Sequence, residues 1–253
     1  MPDNDLQRFW AGRAAAARVI AGVATISAAL MGFAGSLAAQ TVQNGSFSNS
    51  TGNLSSTYVP SAANLSNWTV SGTNTNPDPC VVFGNAFGTC GYSPVNVSGL
   101  GTDPGATPYF GAGAWSGTNA IISQTISGLQ IGRKYLISFY QAAVEDANVT
   151  DNGIYWSVNL GTGTALSSTL MNIPSGGASA WAANTATMIF TATSASETLS
   201  FLSAGGSGGA PPLALLDGVS ISQVPEPASL ALLGLGVAGV MGLKKRRARA
   251  VAA

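Results

Sequence analysis

The chain has 253 residues, 46% hydrophobic and only 8% charged, with ten basic residues balanced by ten acidic ones and no histidine. Lack of histidine removes the commonest general base at neutral pH and the commonest metal ligand. Between Ala39 and Gln223 only Arg133 and Lys134 are basic, against Asp78, Asp103, Glu145, Asp146, Asp151, Glu197 and Asp217; the stretch lacks the basic footprint that a nucleic-acid partner needs.

Residues 1–38 read as a secretory signal peptide. Arg8, Arg13 and Arg18 form a basic lead, Val19 to Ala34 is an apolar run, and Ser36-Leu37-Ala38 offers small residues to a signal peptidase. Cleavage there starts the mature chain at Ala39; an uncleaved anchor is the alternative. What remains, residues 39–223, is about 185 residues, the size of one domain.

Within that body Val42 to Phe47 reads as a first strand, followed by a stretch rich in Ser, Thr and Asn. Trp68-Thr69-Val70 gives a short strand, and from Tyr92 to Gly113 the density of Gly and Pro predicts a long loop. Ile121 to Ile126 places Ile122, Gln124 and Ile126 on one parity, and Gly128 and Gly132 flank a turn. Tyr135 to Tyr140 sets Tyr135, Ile137 and Phe139 on one face; Ile154 to Leu160 does the same with Ile154, Trp156, Val158 and Leu160. Met188, Phe190 and Ala192 alternate next, then Leu199 and Phe201, and Leu215 to Ser222 turns Val219 and Ile221 inward.

No stretch of the body carries a 3.6-residue apolar stripe, whereas period-two alternation recurs between Gly, Asn and Ser. The expected fold is all-β, a jelly-roll-like β-sandwich of about ten short strands, flanked by an N-terminal signal helix and a C-terminal transmembrane helix. A β-helix is the runner-up. Cys80 and Cys90 are the only cysteines. In an exported chain they predict a disulfide, with a metal site as the weaker alternative, because two thiolates without histidine are half a site.

Residues 224–249 close the chain in three parts. Pro225-Glu226-Pro227 comes first, sixteen residues without a charge run from Ala228 to Leu243, and Lys244, Lys245, Arg246, Arg247 and Arg249 follow. A sixteen-residue helix spans roughly 24 Å, short of a roughly 30 Å hydrocarbon core, but flanking cations snorkel and hold the tail on the cytoplasmic side. Gly234 to Gly239 fits a dinucleotide-binding pattern, yet neither a strand nor a βαβ unit surrounds it. The order of parts resembles the PEP-CTERM sorting signal of Gram-negative bacteria. That resemblance implies processing by an exosortase-type membrane peptidase, transient anchoring in the inner membrane, and a destination at the cell surface or in the extracellular matrix.

The body has a resemblance of its own. Asn44-Gly45-Ser46-Phe47 with Trp68-Thr69-Val70, the stretch Ile122 to Phe139, and Leu216-Asp217-Gly218-Val219-Ser220-Ile221 are similar to galactose-binding-like carbohydrate modules. Many such modules continue the first motif with Glu and hold a structural Ca²⁺ between that Glu and the Asp of the last strand. Here Ser48 takes the place of Glu, which leaves Asp217, with Asn44, as Ca²⁺ candidates set against a purely structural strand-end carboxylate.

No catalytic constellation emerges. Serine chemistry lacks a histidine partner, and Glu145, Asp146 and Asp151 fall in the stretch AVEDANVTDNG, which reads as a solvated turn with a Ca²⁺- or sugar-binding loop as alternative. Sugar recognition would use an aromatic platform beside polar groups. Trp68, Trp115 and Trp181 are the candidates, Trp115 foremost because small loop residues surround it. The expectation is a non-catalytic surface or matrix protein, structural or exopolysaccharide-associated; the alternative is a module that recognises extracellular glycan.

Overall fold

The alternation in the sequence becomes a set of antiparallel ladders. In the computed structural model the described residues are 40–49, 65–72, 80–82, 97–104, 108–114, 120–145, 150–184, 188–206, 212–225 and 236. The chain divides into two units, Met1–Ala39 and Gln40–Ala253, and every described residue belongs to the second.

Its strands in chain order are β1 (Thr69–Ser71), β2 (Cys80–Val82), β3 (Tyr109–Gly113), β4 (Ile121–Ser127), β5 (Lys134–Val144) and β6 (Asp151–Leu160). Then come β7 (Leu166–Ser167), β8 (Met171–Ile173), β9 (Ser179–Asn184), β10 (Ile189–Thr191), β11 (Ser196–Ala204) and β12 (Leu213–Gln223). One sheet runs β1-β4-β11-β6-β7 with β8 also on β6; the other runs β10-β5-β12-β3-β2 with β9 also on β5. Every described pairing is antiparallel, as in a β-sandwich and unlike the parallel coils of a β-helix.

The inward parities meet between the sheets. Ile122 and Ile126 of β4, Trp156 and Val158 of β6 and Leu199 and Phe201 of β11 share one buried cluster with Tyr135, Ile137 and Phe139 of β5 and Phe110 of β3. Phe139 and Phe201 touch edge to face across the sandwich at 5.2 Å, and Phe110 lies 6.3 Å from Trp156. Burying each such side chain is worth about 1.5–3 kcal/mol, which makes this seam the main source of cohesion. A hydrogen bond crosses it as well, from Trp156 Nε1 to the carbonyl of Leu215 at 3.0 Å.

Strand β12 changes parity part-way. Ala214 and Leu216 face the seam in its first half, Val219 and Ile221 in its second. The register with β5 shifts between Asp217 and Ser220. Gly218 makes the shift with φ +59°, and a methyl group added there would meet the Tyr140 ring at 2.7 Å, so the bulge requires glycine.

Three readings of the sequence are corrected. Val42 to Phe47 is a turn, not a strand. Asn44 and Phe47 take left-handed φ values of 51° and 52°, and Phe47 N–H bonds back to the Asn44 carbonyl, the turn chemistry of an Asn-Gly pair. The long loop expected from Tyr92 to Gly113 ends in β3, which is buried on both faces and made largely of small residues, so it shows no alternation. Strands β2, β7 and β8 are only two or three residues long, too short for a period-two signal to be read, β9 shows none, and β6 begins at Asp151, three residues before the apolar alternation.

The expected signal helix, the apolar run 228–243 and its basic tail, Glu226, Pro227, Trp115 and Cys90 lie outside the described residues, as does the Cys80 side chain. Among the described residues no helix is long and apolar enough to cross a membrane.

Candidate functional site

The outer face of the β5-β12-β3 sheet is not bare. Ala142 and Val144 of β5, Leu213 and Leu215 of β12 and Tyr109 of β3 form a second apolar cluster, closed over by Leu100 and Ala178 with Val97 and Trp181 at its margin. The segment 97–104 is laced to this face by backbone bonds from Ala178 N–H to Ser98 O and from Trp181 N–H to Leu100 O. Trp181 is half-buried, and its ring meets that of Tyr109 edge to face at 5.1 Å and 73°. Its indole N–H has neither solvent access nor an acceptor.

Beside Tyr109 two acids from distant parts of the chain converge. Asp217 is fully buried on β12, with its carboxyl toward Asp103 of the covering segment. Burial first, and the negative charge of Asp103 second, push the Asp217 carboxyl up to about 8, against a smaller pull downward from the Gly218 amide. The same two causes, burial and Asp103, raise the Tyr109 phenol above its ordinary range. Asp217 therefore holds its proton well above the usual carboxylate range, under a roof of aromatic and apolar groups.

The other candidates go elsewhere. Trp68 is buried to 2%, packed between Phe47 at 5.6 Å and Phe201 at 6.3 Å, and its Nε1 donates to the Asn44 carbonyl. The Asn44 side chain spends both ends on the turn: Nδ2 donates to Ser66 O and Oδ1 accepts from Asn49 N–H. Among the described residues no three His, Cys, Asp or Glu side chains converge as a metal site.

The solvated turn expected around Glu145 and Asp151 is corrected at both of those residues. Both are buried, at 0% and 3% exposure, because β6 extends back to Asp151, which pairs with Ile173, while its Oδ1 accepts the Asn152 amide. They sit at the end of the sandwich where Ala114 N–H bonds to Pro212 O. Glu197 is also buried and acts as a clamp: one carboxylate oxygen takes the Thr193 amide and hydroxyl and the Ser194 amide, at 2.6, 2.7 and 2.9 Å.

The sequence had marked Asp217 but not its partner. Asp103 and Tyr109 fell in what read as loop, and nothing local ties a residue of that segment to one on the last strand. At the C-terminal end β12 keeps its ladder as far as Gln223, opposite Tyr135. Val224 N–H then bonds to Lys134 O at 2.8 Å, and Pro225 is exposed.

Residues 223–247 match the PEP-CTERM protein-sorting motif. Among curated proteins none matches the chain. Solved structures similar to it include the enzymatically active domain of bacteriophage CBA120 tailspike protein 4, 20% identical over 72% of this chain and 21% of that one, TM-score 0.37. Two carbohydrate-binding modules are similar at the same level. One is TmCBM61 in complex with β-1,4-galactotriose, 13% identical over 72% of this chain and 97% of that one, TM-score 0.36. The other is a CBM4, 20% identical over 72% and 99%, TM-score 0.34.

Proposed function

We propose that this chain is an exported, non-catalytic protein of the cell surface or extracellular matrix of a Gram-negative bacterium, structural or exopolysaccharide-associated. The observation that carries this reading is the sorting motif at residues 223–247, set directly at the end of a body strand. In this reading residues 1–38 are removed by signal peptidase, the body folds as a jelly-roll-like sandwich, and Cys80 and Cys90 form a disulfide. The run 228–243 spans the inner membrane with Lys244, Lys245, Arg246 and Arg247 in the cytoplasm, and an exosortase-type peptidase acts at Pro225-Glu226-Pro227. The mass of the protein isolated from the bacterial surface tests it. A product lacking both the first 38 residues and the basic tail is expected; a full-length mass at the surface would overturn it.

One observation favours the alternative, a module that recognises extracellular glycan. Trp181 is only half-buried, its ring resting edge to face on buried Tyr109, a partly exposed aromatic of the kind a sugar pocket uses, and Trp115 would add a second ring. Ca²⁺ dependence belongs to this alternative, through Asp217. Purified protein on a glycan array, with and without Ca²⁺, decides between the two: retention on a defined glycan, lost in Trp181→Ala, supports the module, and no retention in either condition removes it.

A further inference from the structure

Arg133 and Lys134 are the only cations between residues 39 and 223, and both stand on one rim of the sandwich. They follow the β4–β5 turn, whose tip is Ile131, the most exposed large apolar side chain of the described residues at 70%. That tip is held in place. Arg133 N–H bonds to Gln130 O, Gly132 N–H to Ala192 O, Leu129 N–H to Ala195 O, and the Gln130 amide to the Tyr135 hydroxyl. An exposed isoleucine alone is ordinary; its place beside both cations of an acidic body is not.

Both ends of the body reach the same rim. Gln40 Nε2 bonds to Gly128 O, and Val224 N–H bonds to Lys134 O. From Val224 to Ala228, the start of the apolar run, is four residue steps, a reach of at most about 14 Å. Among the described residues the body's acids stay off this surface. Glu197 is nearest, but its carboxylate is turned inward to Thr193 and Ser194. Asp217 pairs with Tyr140 well along the sheet, with Asp103 beside it. Glu145 and Asp151 lie at the opposite end, on the order of 35 Å away along β5; Asp78 and Asp146 are outside the described residues.

We propose that the rim of Ile131, Arg133 and Lys134 is a membrane-apposition surface, which lays the body against anionic phospholipid while the C-terminal segment is still attached. The proposal rests on the reading of that segment as a membrane anchor. Ile131 enters the headgroup layer as a small apolar wedge and the two cations meet lipid phosphates, while Glu145 and Asp151, buried at the far end, stay away from the lipid. Apposition holds the rim, and with it Pro225, at the depth where a membrane peptidase works.

The test uses the full chain reconstituted in vesicles of phosphatidylcholine, alone or mixed with phosphatidylglycerol. Lys134 acylation by a membrane-impermeant amine reagent is mapped by mass spectrometry, along with adducts of a photoactivated carbene lipid. On anionic vesicles Lys134 should be acylated about fivefold more slowly than on neutral ones, with protection lost at high salt. Carbene adducts should mark the peptide carrying Ile131, fall in Ile131→Ser and Arg133→Gln, and be unchanged in Leu170→Ser, a change at another exposed apolar side chain. If the chain floats with both kinds of vesicle but Lys134 reacts equally on each and no adduct forms at the tip, the apposition surface is refuted while the anchor stands. If the chain does not float at all, the anchor reading fails and this proposal goes with it.

Discussion

Val224 donates its backbone amide to the carbonyl of Lys134 at 2.8 Å, so the β5–β12 ladder continues to the residue before the exposed Pro225. Body and sorting motif meet without a spacer. A chain ending at Pro225 should therefore keep the full sandwich, with an unchanged thermal midpoint. A chain ending at Gly218 loses four ladder pairs, from Ser220 to Gln223, and uncovers the seam that Val219 and Ile221 close. It should fail to unfold cooperatively, as circular dichroism during heating would show; an equal midpoint for the two would place the fold boundary wrongly.

Trp156 links the sheets through its ring contact with Phe110 and its Nε1 bond to Leu215 O. Trp156→Ala should cost about 3–5 kcal/mol, the usual range for emptying a buried aromatic site. Trp156→Phe keeps most of the volume and orphans only the carbonyl, so it should cost about 1–3 kcal/mol. Urea unfolding of the three proteins measures both, and equal losses would mean that packing at this position is immaterial.

How much of this was legible follows from where burial is one-sided. Tyr135, Ile137 and Phe139, or Ile154, Trp156 and Val158, alternate because one face of each strand meets the seam and the other does not. Strand β3 was invisible for the opposite reason: from Tyr109 to Gly113 both faces are covered, and Gly111 and Gly113 read as turn. The surroundings of Asp217 were half visible. Asp217 stood out as a carboxylate in a strand, but nearby Asp103 comes from a Gly- and Pro-rich stretch whose docking on that face depends on contacts with Ala178 and Trp181, far along the chain.

Asp217 gives the fold a pH dependence. The Asp217 carboxyl titrates near 8 in the folded protein and near 3.9 in an unfolded chain. Between those values the folded state holds the extra proton, so stability is fully present at pH 4 and below and is lost as pH rises toward 8. The slope approaches about 1.4 kcal/mol per pH unit for this group alone. Asp217→Asn keeps the shape without the charge, and should flatten the decline between pH 5 and 8 and be the more stable protein at pH 8. Urea midpoints across that range check it; parallel profiles for the two proteins would remove Asp217 as the cause.

The bulge that follows Asp217 depends on Gly218. Its φ of +59° is costly for a side chain, and a methyl group would press on the Tyr140 ring. Gly218→Ala should cost about 1–3 kcal/mol, and Gly218→Val more, because a β-branched residue is still less at ease there. If Gly218→Ala instead matches the parent midpoint, the register shift is not held by that glycine.

The final prediction concerns the motif itself. Pro225 and Pro227 have no amide donors to add to the ladder that Val224 ends, and Glu226 is the only acid between Asp217 and the end of the chain. A peptidase that reads this segment is thus offered a singly charged stretch that follows the last ladder residue in the sequence and precedes an apolar run. Replacing Glu226 and Pro227 with Ala changes none of the described contacts of the body, so the body should fold and be exported as before. The full-length or signal-cleaved chain should then accumulate in the inner membrane fraction, still carrying Lys244 to Arg249, and its surface form should fall by at least about tenfold, the effect of roughly 1.4 kcal/mol on a processing barrier. Immunoblots of fractionated cells with an epitope after Arg249 measure this directly, and normal release of the double variant would show that the motif is not what the processing enzyme reads.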